Sequence, residues 1–282
     1  MFTPFAFIQV PQITGPSVIL VDADAQAFIT TAAITDSTQQ YAINQLVLGL
    51  KADGIWTKMQ ALYPFVGSSA TSHKWNLKDP RDLDAAYRLQ FNGGITHSNN
   101  GALPNGTNGY ARTFLNPSIA LSSTSIHFSN YYRTEYLLGA SAEFGCESIT
   151  NPGDDQYTEG IHVFLPNTND RIFFGNGLQN LDNAFTSNNI GNYIVSRTAS
   201  NINKLFKNAT LLKSNTFPSG NANSELYLMG KKNTITPNID NGQQYGQKQI
   251  AFCTIGSGLT DAQANNLNTR ITTFQTALSR TV

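Results

Sequence analysis

Between Gly67 and Gly256 the apolar residues come in short or alternating runs, each cut off by a cluster of Gly, Asn, Pro or Ser. A chain punctuated this way cannot sustain long helices there and instead makes short strands joined by turns. Expected strands cover residues 87–91, 110–114, 125–133, 137–146, 160–165, 170–174, 191–198, 203–207, 224–229 and 249–255. That is more strand than a single open sheet usually carries, so two sheets packed face to face are expected. The Asn92-Gly93-Gly94 and Asn105-Gly106 steps supply the positive-φ positions that tight turns need.

Both ends read differently. Pro4, Pro11 and Pro16 rule out a continuous helix in the first 22 residues, so this apolar stretch is expected to run as an extended arm that docks on something. Asp24 is placed to cap a short helix through Phe28 and Ile29. Asp36 and Gln39 then have capping-box spacing ahead of Ile43, Leu46, Val47 and Leu50 at i, i+3, i+4 and i+7. Gly54 interrupts that helix, and Ile55, Met59 and Leu62 predict a second helical stripe ended by Pro64. At the other end Thr260 and Gln263 make a capping box, and Ala264, Leu267, Ile271, Phe274 and Leu278 form one apolar stripe. The expected organisation is an arm and helical docking segment over residues 1–66 and a β-sandwich over 67–282 that ends in a helix.

Composition narrows the partners. Hydrophobic residues at 40% and aromatics at 11% provide enough apolar surface for a sizeable core. The 18 basic and 18 acidic side chains cancel, so no broad cationic face awaits a phosphate backbone and nucleic-acid binding is not expected. No basic leader or long apolar span precedes Val21, so neither a signal peptide nor a membrane segment is expected. Cys146 and Cys253 stand far apart with no CxxC, which fits two buried thiols better than a disulfide framework or a zinc site.

Few constellations point to chemistry. Glu143 and Glu147 lie four apart, which in a regular strand would put two carboxylates on one face, as a glycosidase requires; Gly145 between them is where a bulge is expected. Solvated strand-face residues are the favoured reading of that pair. His73, His97, His127 and His162 show no HxH or HExxH spacing, and no GxSxG elbow, GxGxxG or P-loop occurs, so no catalytic, cofactor or metal site is expected. The charged run from Lys74 to Arg88 offers carboxylates for calcium, but alternating signs around Pro80 favour a self-neutralising loop. Asp154 and Asp155 with Tyr157 offer a rim where a carboxylate and a stacking aromatic could meet a glycan, with an ordinary Gly-Asp-Asp turn as the favoured reading, and Tyr245 is a second loop aromatic of that kind.

Two resemblances add to this reading. Residues 193–197 (YIVSR), 203–212 (NKLFKNATLL), 226–230 (LYLMG), 250–256 (IAFCTIG) and 258–262 (GLTDA) resemble the late strands and helix of the concanavalin A-like, laminin-G-like jelly roll. Residues 50–59 (LKADGIWTKM), 63–67 (YPFVG), 73–77 (HKWNL), 84–89 (DAAYRL), 101–110 (GALPNGTNGY) and 274–278 (FQTAL) resemble a group of tail, fibre or capsid-associated proteins of bacteriophages. The resemblances imply a mainly β jelly-roll body in a virion protein that is not an enzyme. They also imply docking to other virion proteins through the N-terminal segment, homo-oligomers, and attachment to host surface glycans. They bring no catalytic or calcium-ligating residues to this chain. Beside the virion role stand a carbohydrate-binding module and a glycan-degrading enzyme using Glu143 and Glu147.

Overall fold

The computed structural model describes residues 21–136, 141–148, 157–163, 174–176, 189–216, 220–233 and 245–282. The arm expected before Val21 and the Asp154–Asp155 rim lie outside the described residues. The helices are α1 (Ala23–Thr31), α2 (Ser37–Ala52), the single turns α3 (Ala70–His73) and α4 (Pro117–Ala120), and α5 (Asp261–Ala277). The strands are β1 (Met59–Tyr63), β2 (Gln90–Asn92), β3 (Ile95–Ser98), β4 (Gly101–Pro104), β5 (Tyr110–Arg112), β6 (Ile126–Tyr132), β7 (Ser141–Ser148) and β8 (Tyr157–Val163). They continue with β9 (Phe174–Asn176), β10 (Gly191–Ala199), β11 (Ile202–Lys207), β12 (Thr210–Asn215), β13 (Tyr227–Leu228), β14 (Lys231–Asn233) and β15 (Ile250–Gly256).

Among the described residues these strands form two sheets. The first runs β12-β11-β10-β6-β15-β4-β3, with β1 also on β15, and the second runs β2-β5-β13-β7-β8-β9, with β14 also on β7. The result is the expected mainly β jelly-roll sandwich, with helices added to one side as a third layer. Alternation along the central strands explains why. In β6, Phe128 and Tyr132 point between the sheets while Tyr131 points to the helices; in β15, Cys253 and Ile255 point between the sheets and Phe252 to the helices. The first sheet is therefore covered on both faces, and β6 and β15 are buried along their whole length.

The helical layer follows its sequence signals closely. Asp36 caps α2 by accepting the Gln39 N–H at 2.8 Å, and Ile43, Leu46, Val47 and Leu50 are buried against the sheet. The Gln39 side chain does not complete a reciprocal box; its Oε1 accepts the Gly67 N–H instead. The Thr260–Gln263 box does close in both directions at the start of α5. The cap of α1 is Asp22 rather than Asp24, and Asp24 occupies the first turn.

The stripe expected from Ile55 to Leu62 is not a helix. After one 3-10 turn at Trp56–Lys58 the chain extends as β1 and pairs antiparallel with β15, Leu62 opposite Thr254 and Tyr63 opposite Cys253. Met59 and Leu62 face the helices while Ala61 and Tyr63 face the second sheet. A strand with apolar residues on both faces, as here at Met59, Ala61, Leu62 and Tyr63, mimics helical spacing.

Candidate functional site

The side of the second sheet that faces away from the first carries the most concentrated aromatic and polar surface among the described residues. Alternation puts it there: Ala111 is buried in the sandwich core, which turns its neighbours Tyr110 and Arg112 outward, and Leu226 and Leu228 turn Tyr227 to the same side, where its neighbours cover it to 6% exposure. Register then lines them up. Gln90 pairs with Arg112, Arg112 with Tyr227, Tyr227 with Gly145 and Gly145 with Gly160, one cross-strand row over five strands that ends in two residues without side chains.

Tyr110 and Tyr227 stack with ring centroids 5.1 Å apart and planes 14° from parallel. Tyr245, held by a bridge to Gly230, leans on Tyr110 at 6.4 Å and 44°. Beside the stack Arg112 donates to Glu225 through Nη2 at 2.9 Å and through Nε at 3.2 and 3.3 Å, and its Nη1 reaches Gln90 Oε1 at 3.4 Å. Glu225 Oε1 also accepts the Phe114 N–H at 2.8 Å, which holds that residue at its positive φ of 58°. Lys232 Nζ lies 3.8 Å from Glu225 and 5.7 Å from the Tyr227 ring centroid.

The electrostatics suit a neutral phenol among fixed charges. Burial, reinforced by Glu225, pushes the Tyr227 hydroxyl up to about 12, so it remains a donor at neutral pH. The hydrogen bond to Glu225 holds the Arg112 guanidinium above its ordinary value. The partly exposed Tyr110 and Tyr245 rings can receive the CH face of a sugar ring, while the Arg112–Glu225 pair fixes the strands that carry Tyr110.

Of the residues singled out from sequence, Tyr245 belongs to this surface. Tyr157 opens β8, opposite Ser148 and Asn176, and only its backbone is described. Glu143 requires a correction: it is fully buried, not solvated, so it cannot meet a substrate in an open groove. Its carboxylate accepts the Gln247 and Lys248 N–H groups and the Ser141 hydroxyl. The bulge in β7 lies between Ala142 and Phe144, which makes Glu143 the extra residue, and it breaks the four-residue register with Glu147 from that end rather than at Gly145. Glu147 itself is known here by its backbone, opposite Thr158 and Asn233.

The remaining candidates are structural. His127 is buried, with Nδ1 donating to Ser257 O at 2.6 Å, and His73 and His97 meet through their Nδ1 atoms at 2.9 Å. Among the described residues no group of three or more His, Cys, Asp and Glu side chains is placed to hold a metal ion. The charged run neutralises itself as expected: Asp82 meets Lys74 and Arg88, Asp84 meets Arg88, and Asp79 meets Arg81. Cys146 and Cys253 are buried and form no disulfide. A cavity of about 260 Å³ at the start of α2 is lined by Asp36, Gln39 and Arg280, but Asp36 and Gln39 are occupied within the fold and Arg280 is bound to main-chain carbonyls. Tyr110, Arg112, Tyr227, Glu225 and Lys232 were not singled out from sequence; the Tyr-Ala-Arg and Leu-Tyr-Leu alternations were the signal that marked the first three.

No family model matches the chain, and no curated protein does. Solved structures do. The chain is similar to domain 4 of a GH43 extracellular arabinanase from Geobacillus stearothermophilus in complex with arabinotriose, with a TM-score of 0.51, 17% identity, and coverage of 74% of this chain and 98% of that one. It is also similar to a Trypanosoma rangeli sialidase mutant displaying trans-sialidase activity, with a TM-score of 0.54, 11% identity, and coverage of 81% and 39%. The same sialidase with 2,3-difluorosialic acid gives 0.50, 10%, and coverage of 81% and 38%. The match thus spans about two fifths of the sialidase chains, and at these identities the likeness is one of fold.

Proposed function

We propose that this chain is a non-catalytic glycan-binding sandwich, and that the outer face of its second sheet is the binding surface. The observation that carries the reading is the half-buried Tyr110, stacked on Tyr227 and leaned on by Tyr245, beside the row Gln90–Arg112–Tyr227. The arabinanase domain solved with arabinotriose supports it by analogy of fold. The burial of Glu143 weighs against the glycan-degrading alternative, because a buried carboxylate has no route to a glycosidic bond.

Attachment in a phage particle is the setting we propose for this binding, on the strength of the sequence resemblance. The layering favours it: α1, α2 and α5 cover one side and the aromatic face lies on the other, so docking and glycan contact need not compete. On α2, Tyr41 and Leu48 are exposed at i and i+7, an apolar stripe suited to contacts with other virion proteins or a second copy. A glycan array probed with the whole chain and with Tyr110→Ala tests the binding. Hits that vanish in the variant support it, and an array without hits for the folded whole chain overturns it. Normal particle incorporation after deletion of residues 1–20 would overturn the docking role of the N-terminal segment.

A further inference from the structure

The charges on the aromatic face are not balanced among themselves. Glu225 is the carboxylate at its centre, only 11% exposed, and its oxygens are already taken by the Arg112 guanidinium and the Phe114 N–H. Lys232 approaches the same carboxylate only to 3.8 Å, beyond hydrogen-bond distance, so its ammonium keeps its donors while lying over the edge of the Tyr227 surface. Among the described side chains, two cations and one saturated carboxylate leave one positive charge in this cluster next to a stacked pair of rings.

Arg112 and Lys232 have different jobs in this arrangement. The guanidinium is spent on the fold: it is locked by Glu225 and Gln90, and it lies 4.5 Å from the Phe114 ring centroid. The lysine sits on β14 with its side chain 28% exposed, beside the ring against which Tyr110 stacks. A compact ammonium with unspent donors beside an aromatic ring recognises a ligand that has both an apolar ring face and an anionic oxygen.

We infer that this face takes a carboxylate-bearing sugar unit, with the ring resting on Tyr110, the more exposed member of the stack, and the carboxylate at Lys232. The inference rests on the glycan-binding reading and narrows it from sugars in general to acidic ones. A uronic acid and a sialic acid share the required chemistry, a six-membered ring carrying a carboxylate, and the probes separate the two sources.

The test is calorimetric titration of the whole chain with four ligands in two matched pairs: an oligogalacturonate and its methyl ester, and sialyllactose and lactose. The expected result is that at least one acid binds about tenfold or more tightly than its neutral partner. The preference should shrink on raising salt, since the contact is between exposed charges. Lys232→Met should abolish the preference and Lys232→Arg retain it, with unfolding midpoints for both variants close to that of the parent. Equal binding of acid and neutral partner overturns the inference and leaves glycan binding standing. An acid preference that survives in Lys232→Met also overturns it. Failure of all four ligands, together with an empty array, removes the glycan-binding reading itself.

Discussion

Glu143 Oε2 accepts the backbone N–H of Lys248 at 3.1 Å, across more than a hundred residues of sequence and with no solvent at either side chain. Oε1 takes the N–H of Gln247 at 3.0 Å and the Ser141 hydroxyl at 2.9 Å. Burial raises the pKa of this carboxyl above the ordinary range, and the charge of Lys248 and the donated hydrogen bonds work against that rise. A bulged residue in β7 thus serves as the anchor for the segment that leads into β15.

Removing the anchor should be costly. Glu143→Ala deprives two buried main-chain N–H groups of their acceptor and takes a negative charge from beside a buried lysine, a loss of about 3–5 kcal/mol. Glu143→Gln preserves shape but presents an NH₂ group to an N–H donor, so a smaller loss of about 1–3 kcal/mol is expected. Urea unfolding of the two variants checks the order; equal stability in all three proteins would refute the anchoring role.

The buried histidines should make the fold acid-sensitive. Burial pushes His127 down to about 4 and His73 to about 3, both from an ordinary 6.5. The unfolded chain therefore takes up protons first as pH falls. The stability these neutral rings contribute is complete above pH 6.5 and is lost on acidification towards about 4 and about 3 respectively. Each should add a slope approaching ~1.4 kcal/mol per pH unit within its window. Thermal midpoints measured from pH 7 to pH 4 should fall, and His127→Gln, although less stable at pH 7, should show a shallower fall. A parallel curve for the variant would assign the acid sensitivity elsewhere.

Arg280 closes the C-terminal end of the structure. Its buried guanidinium donates to the carbonyls of Pro64, Phe65, Asn99 and Ala251 and to the Gln275 side chain. It thereby joins the residue after α5 to the exit of β1, the β3–β4 turn and β15. Burial lowers its pKa to about 9, yet it stays charged at neutral pH. Arg280→Met should cost at least ~3 kcal/mol, because four main-chain acceptors lose a charged donor together. Protease resistance of the C-terminal residues should drop in parallel, and an unchanged digestion pattern would argue against the clasp.

The sequence and the fold agree where the information is local. The Thr260–Gln263 box, the Asp36 cap and the stripes of α2 and α5 need only nearest neighbours along the helix, and all are found as read. The strands at 126–132 and 191–199 were legible from their alternation for the same reason. β3, β4, β12 and β14 were not singled out: they are three to six residues long and interrupted or flanked by polar residues and glycines, and they exist because neighbouring strands offer them partners. β1 was misread because Met59 and Leu62 face the helices while Ala61 and Tyr63 face the second sheet, and apolar residues on both faces of so short a strand read as helical spacing.

The candidate surface divides along the same line. Alternation in Tyr110-Ala111-Arg112 and Leu226-Tyr227-Leu228 determined by itself which side chains leave the core, since successive residues of a strand face opposite ways whatever lies around them. That Arg112 stands beside Tyr227 rather than elsewhere, that Lys232 keeps its donors, and that Glu143 is sealed beneath residues 246–248 were decided only by tertiary structure. The first and last of these join segments more than a hundred residues apart. Register between them is set by how two sheets close over a shared core, a property of the whole chain that no local periodicity carries.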